Sequence, residues 1–136
     1  MTITEALRAH LINNTTLVGS RIYPKTIPQG ATMPIQVYHV IPGGEKVHSM
    51  GDDSGLTKIL IQLDHWSEDY SAAEVAAAET KTALRNYSKG DPTQLMGNAG
   101  GVWVQTVLID DENDDFFPET KLYVYRVFIS IWYMDA

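Results

Sequence analysis

Apolar residues recur along this chain in two periods, and the switches between them divide it into elements. Near the start, Ile3, Leu7 and Leu11 fall at i, i+4 and i+8, one stripe of a helix from Thr2 to about Asn13. Thr2 and Glu5 stand at capping-box spacing, where each side chain satisfies a free backbone N–H. From Gly19 to Met33 the chain carries Pro24, Pro28 and Gly30, which predicts an extended, turn-rich connector. Alternation begins after Pro34, and Ile35, Val37, His39 and Ile41 share one face of a strand. Pro42 to Gly55 contains Gly43, Gly44, Gly51 and Gly55 and reads as a long loop, the kind that is usually functional or disordered.

A second strand is predicted over Leu56 to Trp66, with Ile59, Ile61 and Leu63 alternating against Leu60, Gln62 and Asp64. Ser71 and Glu74 form a second capping-box pattern, opening a helix that runs to about Tyr87. Ala73, Ala77, Thr80, Leu84 and Tyr87 line one face of it, and Lys89-Gly90-Asp91-Pro92 stops it. Val102 to Ile109 is a third strand, Asp110 to Pro118 an acidic turn region, and Lys121 to Met134 a long fourth strand. These elements predict an α+β fold occupying residues 1–136 as one domain. It has a mainly antiparallel four-stranded sheet with two helices packed on one face, in the order α-β-β-α-β-β.

The last strand complicates that picture, because it is apolar on both faces. Tyr123, Tyr125, Val127, Ile129, Ile131 and Tyr133 lie on one side; Leu122, Val124, Phe128 and Trp132 lie on the other. Strict alternation in the third strand sets Trp103, Val107 and Ile109 opposite Val102, Val104 and Leu108. Two modest helices cover one face of such a sheet, and the other needs a further cover. Either the connector and loops fold over it, or it is a subunit interface with Trp103, Val124, Phe128 and Trp132 as candidate contact residues.

Composition narrows the function classes. The chain has 136 residues, 44% of them hydrophobic, enough for a single real core. There is no cysteine, so disulfides, thiolate nucleophiles and Cys-based zinc sites drop out. The net charge is -7 and the ten Lys and Arg residues are scattered, which disfavours binding to nucleic acid or an anionic membrane surface. An acidic wall is still compatible with a channel through which DNA passes without specific binding. No apolar stretch reaches the roughly eighteen residues of a membrane span, and Met1 to Glu5 shows no secretory pattern.

The search for chemistry is negative. His10, His39, His48 and His65 form no metal-binding pair; His39 and His65 can sit side by side in the sheet, yet further ligands are missing. Gly51-Asp52-Asp53-Ser54-Gly55 has a faint likeness to the segment around a serine protease nucleophile, but no second signature supplies a triad. A calcium loop starting at Asp111 fails at Phe116 and Leu122, so the acidic run reads as a solvated face. No phosphate-binding glycine loop is present. The expectation is a protein with no catalytic set, no cofactor and no metal.

Several stretches, taken in order, carry a resemblance. They are Leu17-Val18-Gly19-Ser20-Arg21-Ile22-Tyr23-Pro24, Ile27-Pro28-Gln29-Gly30-Ala31 and Met33-Pro34-Ile35-Gln36-Val37-Tyr38. Ile61-Gln62-Leu63-Asp64-His65-Trp66 follows, with the Ala-rich helix from Tyr70 to Leu84 behind it, and then Tyr125-Arg126-Val127-Phe128-Ile129-Ser130-Ile131-Trp132-Tyr133. Over nearly its full length the chain resembles the tail completion, or tail terminator, proteins of long-tailed bacteriophages. The resemblance implies a virion protein, assembled in the bacterial cytoplasm, that forms a hexameric ring at the head-proximal end of the tail. Such a ring stops addition of the tail tube protein and meets the head-tail connector protein. On this reading Gly43, Gly44, Glu45, Lys46, His48, Met50, Asp52 and Asp53, with Asp111, Glu112, Asp114 and Asp115, are candidate partner-contact residues. Alternatives are another neck protein, such as a connector subunit, a tube protein, or a small cytosolic enzyme or ligand-binding domain.

Overall fold

The computed structural model describes residues 2–49, 52–85, 94–97 and 101–134, with the backbone alone at 43–49, 52–55 and 94. Its elements are α1 (Ile3–Asn14), β1 (Ile22–Pro24), β2 (Ile35–Ser49), β3 (Asp52–Ser67), α2 (Tyr70–Arg85), β4 (Gln94–Met96), β5 (Val102–Phe117) and β6 (Leu122–Met134). They build one curled, mixed six-stranded sheet in the order β1-β2-β3-β6-β5-β4. The expected four-stranded antiparallel sheet is therefore corrected. The connector contributes β1, which runs parallel to β2 with Ile22 opposite Gln36, and β4 adds a short strand beside β5. Both are only three residues long, too short to show a period of two.

Two predicted loops are also strands. Pro42 to Gly55 is the outer half of a hairpin: β2 continues to Ser49 and β3 begins at Asp52, with Lys46 opposite Thr57 and His48 opposite Asp53. A register shift between Ile41 and Glu45 absorbs Pro42, Gly43 and Gly44, so the glycines sit in a bulge rather than ending the strand. The acidic run from Asp110 is the outer half of β5, which turns only after Phe117. The turn residue Lys121 takes φ 56, and its N–H closes on the Phe117 carbonyl at 2.8 Å.

The helices form for reasons visible locally. At α1 the Thr2 hydroxyl accepts the Glu5 N–H at 3.2 Å and the Glu5 carboxylate accepts the Thr2 N–H at 3.4 Å, the predicted box. At α2 the predicted Ser71–Glu74 box is replaced by Asp69, two residues before Ser71, whose Oδ1 accepts the Ser71 N–H at 3.3 Å. Ala73, Ala76, Ala77 and Ala83 of α2 are buried, and their small side chains let the helix lie close to the sheet. Glu79 of α2 then binds the exit of α1, accepting the N–H groups of Thr16 at 2.7 Å and Leu17 at 3.0 Å. Partial burial pushes the Glu79 carboxyl up, but these donors more than offset it and hold it below the usual range.

The core lies between the helices and one sheet face. Ile61 and Leu63 of β3, Val127, Ile129 and Ile131 of β6, and Val104 and Val107 of β5 meet Ile3, Leu7 and Leu11 of α1 and Leu84 of α2. Each such buried aliphatic contributes on the order of 2 kcal/mol. One polar chain crosses this core. His65 Nδ1–H donates to the Tyr125 carbonyl at 3.1 Å, and Thr80 donates its hydroxyl to Nε2 at 2.8 Å. The Gln36 side chain lies 3.5 Å from the Thr80 oxygen through Oε1, while its Nε2 is without a partner. Turning that amide over gives its NH2 the Thr80 oxygen as acceptor and completes the chain with His65 neutral.

Burial drives the His65 pKa down to about 4, and it lowers that of His10, whose ring Nε2 meets the Ala83 carbonyl at 2.8 Å. A histidine held neutral in the fold leaves the unfolded chain binding more protons below its ordinary pKa of 6.5. This stability is therefore present above pH 6.5 and is lost as pH falls toward 4. Urea unfolding at pH 5 should give roughly 2 kcal/mol less stability than at pH 7.5 from His65 alone, with His10 adding in the same direction. In His65→Leu that part of the slope should vanish; an unchanged slope would show that His65 is not the group.

Candidate functional site: the sheet face without helices

The registers place residues of β2, β3, β6, β5 and β4 on the second face unambiguously. Asp64 faces Arg126 across β3 and β6, Gln62 faces Phe128, Lys58 faces Trp132, and Leu95 faces Trp103 across β4 and β5. Among the described residues no helix packs on this side. Its upper part is apolar and open. Trp103 is 53% exposed, Leu108 47% and Leu95 39%, while Phe128 and Trp132 are half-buried. The Lys58 ammonium sits over the Trp132 ring, 5.4 Å from its centre, shielding part of it.

Of the four candidate interface residues, Trp103, Phe128 and Trp132 thus offer surface on one face. Val124 shares the face but is fully buried opposite Trp66 and has none to offer. Leu95 and Leu108, absent from the sequence-based set, complete the patch. Strict alternation had grouped Trp103 with Val107 and Ile109; a register shift between Val104 and Thr106 breaks that phase. Val104, Val107 and Ile109 pack toward the core side, and Trp103 and Leu108 point away from it. A second shift between Ile109 and Asp111 resets the phase again at Asp110, whose carboxylate accepts the Ser130 hydroxyl.

Below the apolar patch a polar row crosses four strands. His39 Nε2 lies 3.2 Å from Asp64 Oδ2, Gln62 Nε2 donates to Asp64 Oδ1 at 2.8 Å, and Arg126 Nε lies 3.9 Å from that same oxygen. Arg126 also donates to Asn113 Oδ1 at 3.3 Å and stacks over the Phe117 ring. Asp64 is nearly buried, so these donors replace the water it loses. His39 and His65 do not sit side by side, because His39 lies on this face and His65 in the core.

The acidic run divides between the two faces. Toward the helices, Lys81 of α2 donates to Glu112 Oε1 at 2.6 Å, Tyr125 donates to the same oxygen at 2.9 Å, and Tyr70 donates to Asp114 Oδ2 at 2.7 Å. The Lys81 bond holds the Glu112 carboxyl below its usual range, and the Asp114 bond pushes the Tyr70 phenol up to about 12. Asp111 and Asp115 fall on the face without helices and bind backbone instead: each accepts the N–H of the next residue, Glu112 or Phe116, at 2.8 Å. The other candidate partner residues, Gly43, Gly44, Glu45, Lys46, His48, Asp52 and Asp53, lie on the β2–β3 arm. Met50 lies outside the described residues.

An open depression of about 230 Å³ on α1 is lined by Glu5, Arg8, Ala9, Ile12 and Asn13. Its arginine is committed to the Ile22 carbonyl at 2.9 Å and the Ser20 carbonyl at 3.3 Å. Among the described residues no group of three or more His, Asp or Glu is placed to hold a metal, and no helix is long and apolar enough to cross a membrane.

Removing Asp64 is expected to leave Arg126 and His39 facing one another across a half-buried surface. Asp64→Ala should lose about 2 kcal/mol in urea unfolding, below the full cost of breaking a buried pair because Arg126 is partly solvated. A loss under about 0.5 kcal/mol would show that water screens the row.

No family model matches the chain, and no curated protein matches it. Solved structures do match: a chain in the virion of a native gene transfer agent particle aligns over 97% of this chain and 91% of its own, with TM-score 0.53 and 14% identity. The two share the fold.

Proposed function

We propose that this chain is a structural virion protein of a phage that assembles with copies of itself into a ring closing the head-proximal end of a tail. The observation that carries the reading is the fold shared, over nearly the whole of both chains, with a chain of a virion particle. The open apolar patch of Trp103, Leu108 and Leu95 supports it, because a monomer rarely leaves such a group of large residues on one sheet face. A ring needs a heterologous contact in which each subunit offers two different surfaces. The sheet face and the opposite helical layer are two such surfaces. In this reading the ring is a hexamer of single-domain subunits, and the β2–β3 arm and the outer half of β5 meet the tail tube and head-tail connector proteins. DNA passes through without specific binding, and the subunit has no catalytic role.

Light scattering of the purified chain, with and without the tail tube protein of the same phage, tests this. A six-subunit ring, or a monomer that joins tube ends and blocks their growth, supports the reading. Unaided polymerisation would favour a tube protein, and a monomer indifferent to tubes would overturn self-assembly. Trp103→Ala combined with Trp132→Ala should weaken ring formation by roughly 30-fold or more, since buried tryptophans dominate interfaces. Thermal unfolding of the isolated subunit should change little for Trp103→Ala, whose ring is already mostly in water.

A further inference from the structure

Charge is segregated across the sheet. Between Glu5 and Glu45 the chain has no Asp or Glu, and its Lys and Arg residues there are Arg8, Arg21 and Lys25. From Asp110 to Glu119 it has six carboxylates and no Lys or Arg. The strand order sets the two segments apart: β1 lies outside β2, and β5 lies beyond β6, with β2, β3 and β6 between them.

Each pole has charge that its own surroundings leave uncompensated. Arg8 closes the outer edge of β1, donating to the Ile22 carbonyl at 2.9 Å and the Ser20 carbonyl at 3.3 Å. Arg21 donates to the Pro34 carbonyl at 3.0 Å and the Leu17 carbonyl at 2.8 Å. Carbonyl partners fix these guanidiniums without neutralising them. Glu5, one turn before Arg8, is engaged in the α1 cap. Lys25 is exposed just past β1 and has no carboxylate partner among the described residues. On the acidic side, Glu112 and Asp114 are bonded by Lys81, Tyr125 and Tyr70, and Asp110 by Ser130. Asp111 and Asp115 are exposed and accept only a neighbouring N–H among the described residues. Arg126, placed between them by its register with Asn113, is held by Asp64 and Asn113. Because the two carboxylates lie on the face without helices, they can be reached without any free backbone on β5.

The register also brings the two poles to the same height. Ile22 shares a row with Gln36, His65, Tyr125 and Asp114; Pro24 shares one with Tyr38, Leu63, Val127 and Glu112. Arg21 and Lys25 flank β1, so they stand level with Asp115 and Asp111, one step outside those rows at either end.

We propose that the β1 edge of one copy docks beside the outer half of β5 of the next, with Lys25 and Arg21 meeting Asp111 and Asp115. The choice of a second copy rests on the self-assembly reading, and charge favours it, since each pole finds its complement on the same chain. Poles on opposite sides of a subunit make a head-to-tail contact, the kind that closes into a ring. Two like edges repel, so the same charges reject a symmetric pair. The acidic pole belongs to the sheet face and the basic pole adjoins the helical layer through Arg8 of α1, so the contact joins the two surfaces a ring would use. It assigns Asp111 and Asp115 to the ring itself and leaves the β2–β3 arm for the tube and connector proteins. Exposed ion pairs contribute little each, so these charges set orientation and encounter rate more than affinity.

Carbodiimide at low ionic strength joins an ammonium to a carboxylate that it touches, with no spacer. In a mixture of unlabelled and heavy-nitrogen full-length chains, mass spectrometry separates links between copies from links within one. The expected product is an amide between Lys25 of one copy and Asp111 or Asp115 of another. Its absence from the links between copies overturns the contact. Charge reversal gives a second readout, by sedimentation velocity at tens of micromolar with circular dichroism as the check on folding. Lys25→Glu and Asp111→Lys should each weaken association roughly fivefold, and the two combined in one chain should restore it. Net charge alone makes the opposite forecast for Asp111→Lys, which brings the chain nearer neutrality, so stronger association of that variant overturns the pairing. A double variant no stronger than either single one does the same. Should Asp111→Lys fail to fold, Asp115→Lys takes its place. A hexamer that lacks the Lys25 link refutes this contact and leaves the ring; the link in a chain that stops at dimers refutes the ring and leaves the contact.

Discussion

β6 is hydrogen-bonded to β3 along one side and to β5 along the other, so its backbone is satisfied over its length. Its side chains, however, alternate between two sets that both avoid water. Val127, Ile129 and Ile131 face the helices and are fully buried; Phe128 and Trp132 face the other way, where no helix among the described residues meets them. A single-layer sheet with two helices can bury one face of such a strand. The architecture follows from that shortfall: α2 is rich in alanine so that it lies close over the middle of the covered face, and α1 fills the remaining gap beside β4. The second face is covered in part: Ile35, Val37 and Val124 are buried on it beside Trp66, and elsewhere it has Lys58 over Trp132, Arg126 over Phe117 and Trp66 against Phe117 at 5.3 Å between ring centres.

The polar interactions divide between the faces in a way that fits this asymmetry. On the covered side His65, Thr80 and Gln36 form a buried, neutral chain that ties α2 to β3 and β2. Such a network specifies one helix position, since any slide leaves buried groups unpaired. On the open side Asp64, Arg126, His39 and Asn113 form a charged row that keeps contact with water. A charged row beside an apolar patch is the pattern of an interface rim, where polar groups set register and apolar ones supply contact area.

What could be read from the sequence was the part whose period is uninterrupted. The α1 cap, the two faces of β6 and the alternation of β3 from Ile59 to Asp64 all appear in the structure as their spacing predicts. Reading failed where local propensity and global pairing disagree. Asp and Asn are poor strand formers, so Asp110 to Asp115 read as a turn; the structure makes it strand because Tyr125, Lys81 and Tyr70 supply partners for its side chains. Glycines concealed the arm for the same reason, since pairing with β3 outweighs their freedom. The shifts near Gln105 and Asp110 have no sequence signal of their own, and the first of them moved Leu108 into the open patch. β1 and β4 are placed by neighbours rather than by pattern, so Leu95 was not foreseen.

The acidic run then has a physical reason to be strand rather than loop. In a loop its carboxylates would be equivalent and solvated. In a strand, alternation assigns them different work: Glu112 and Asp114 turn toward α2 and tie it to β5, while Asp111 and Asp115 turn to the other face and accept the N–H groups of Glu112 and Phe116.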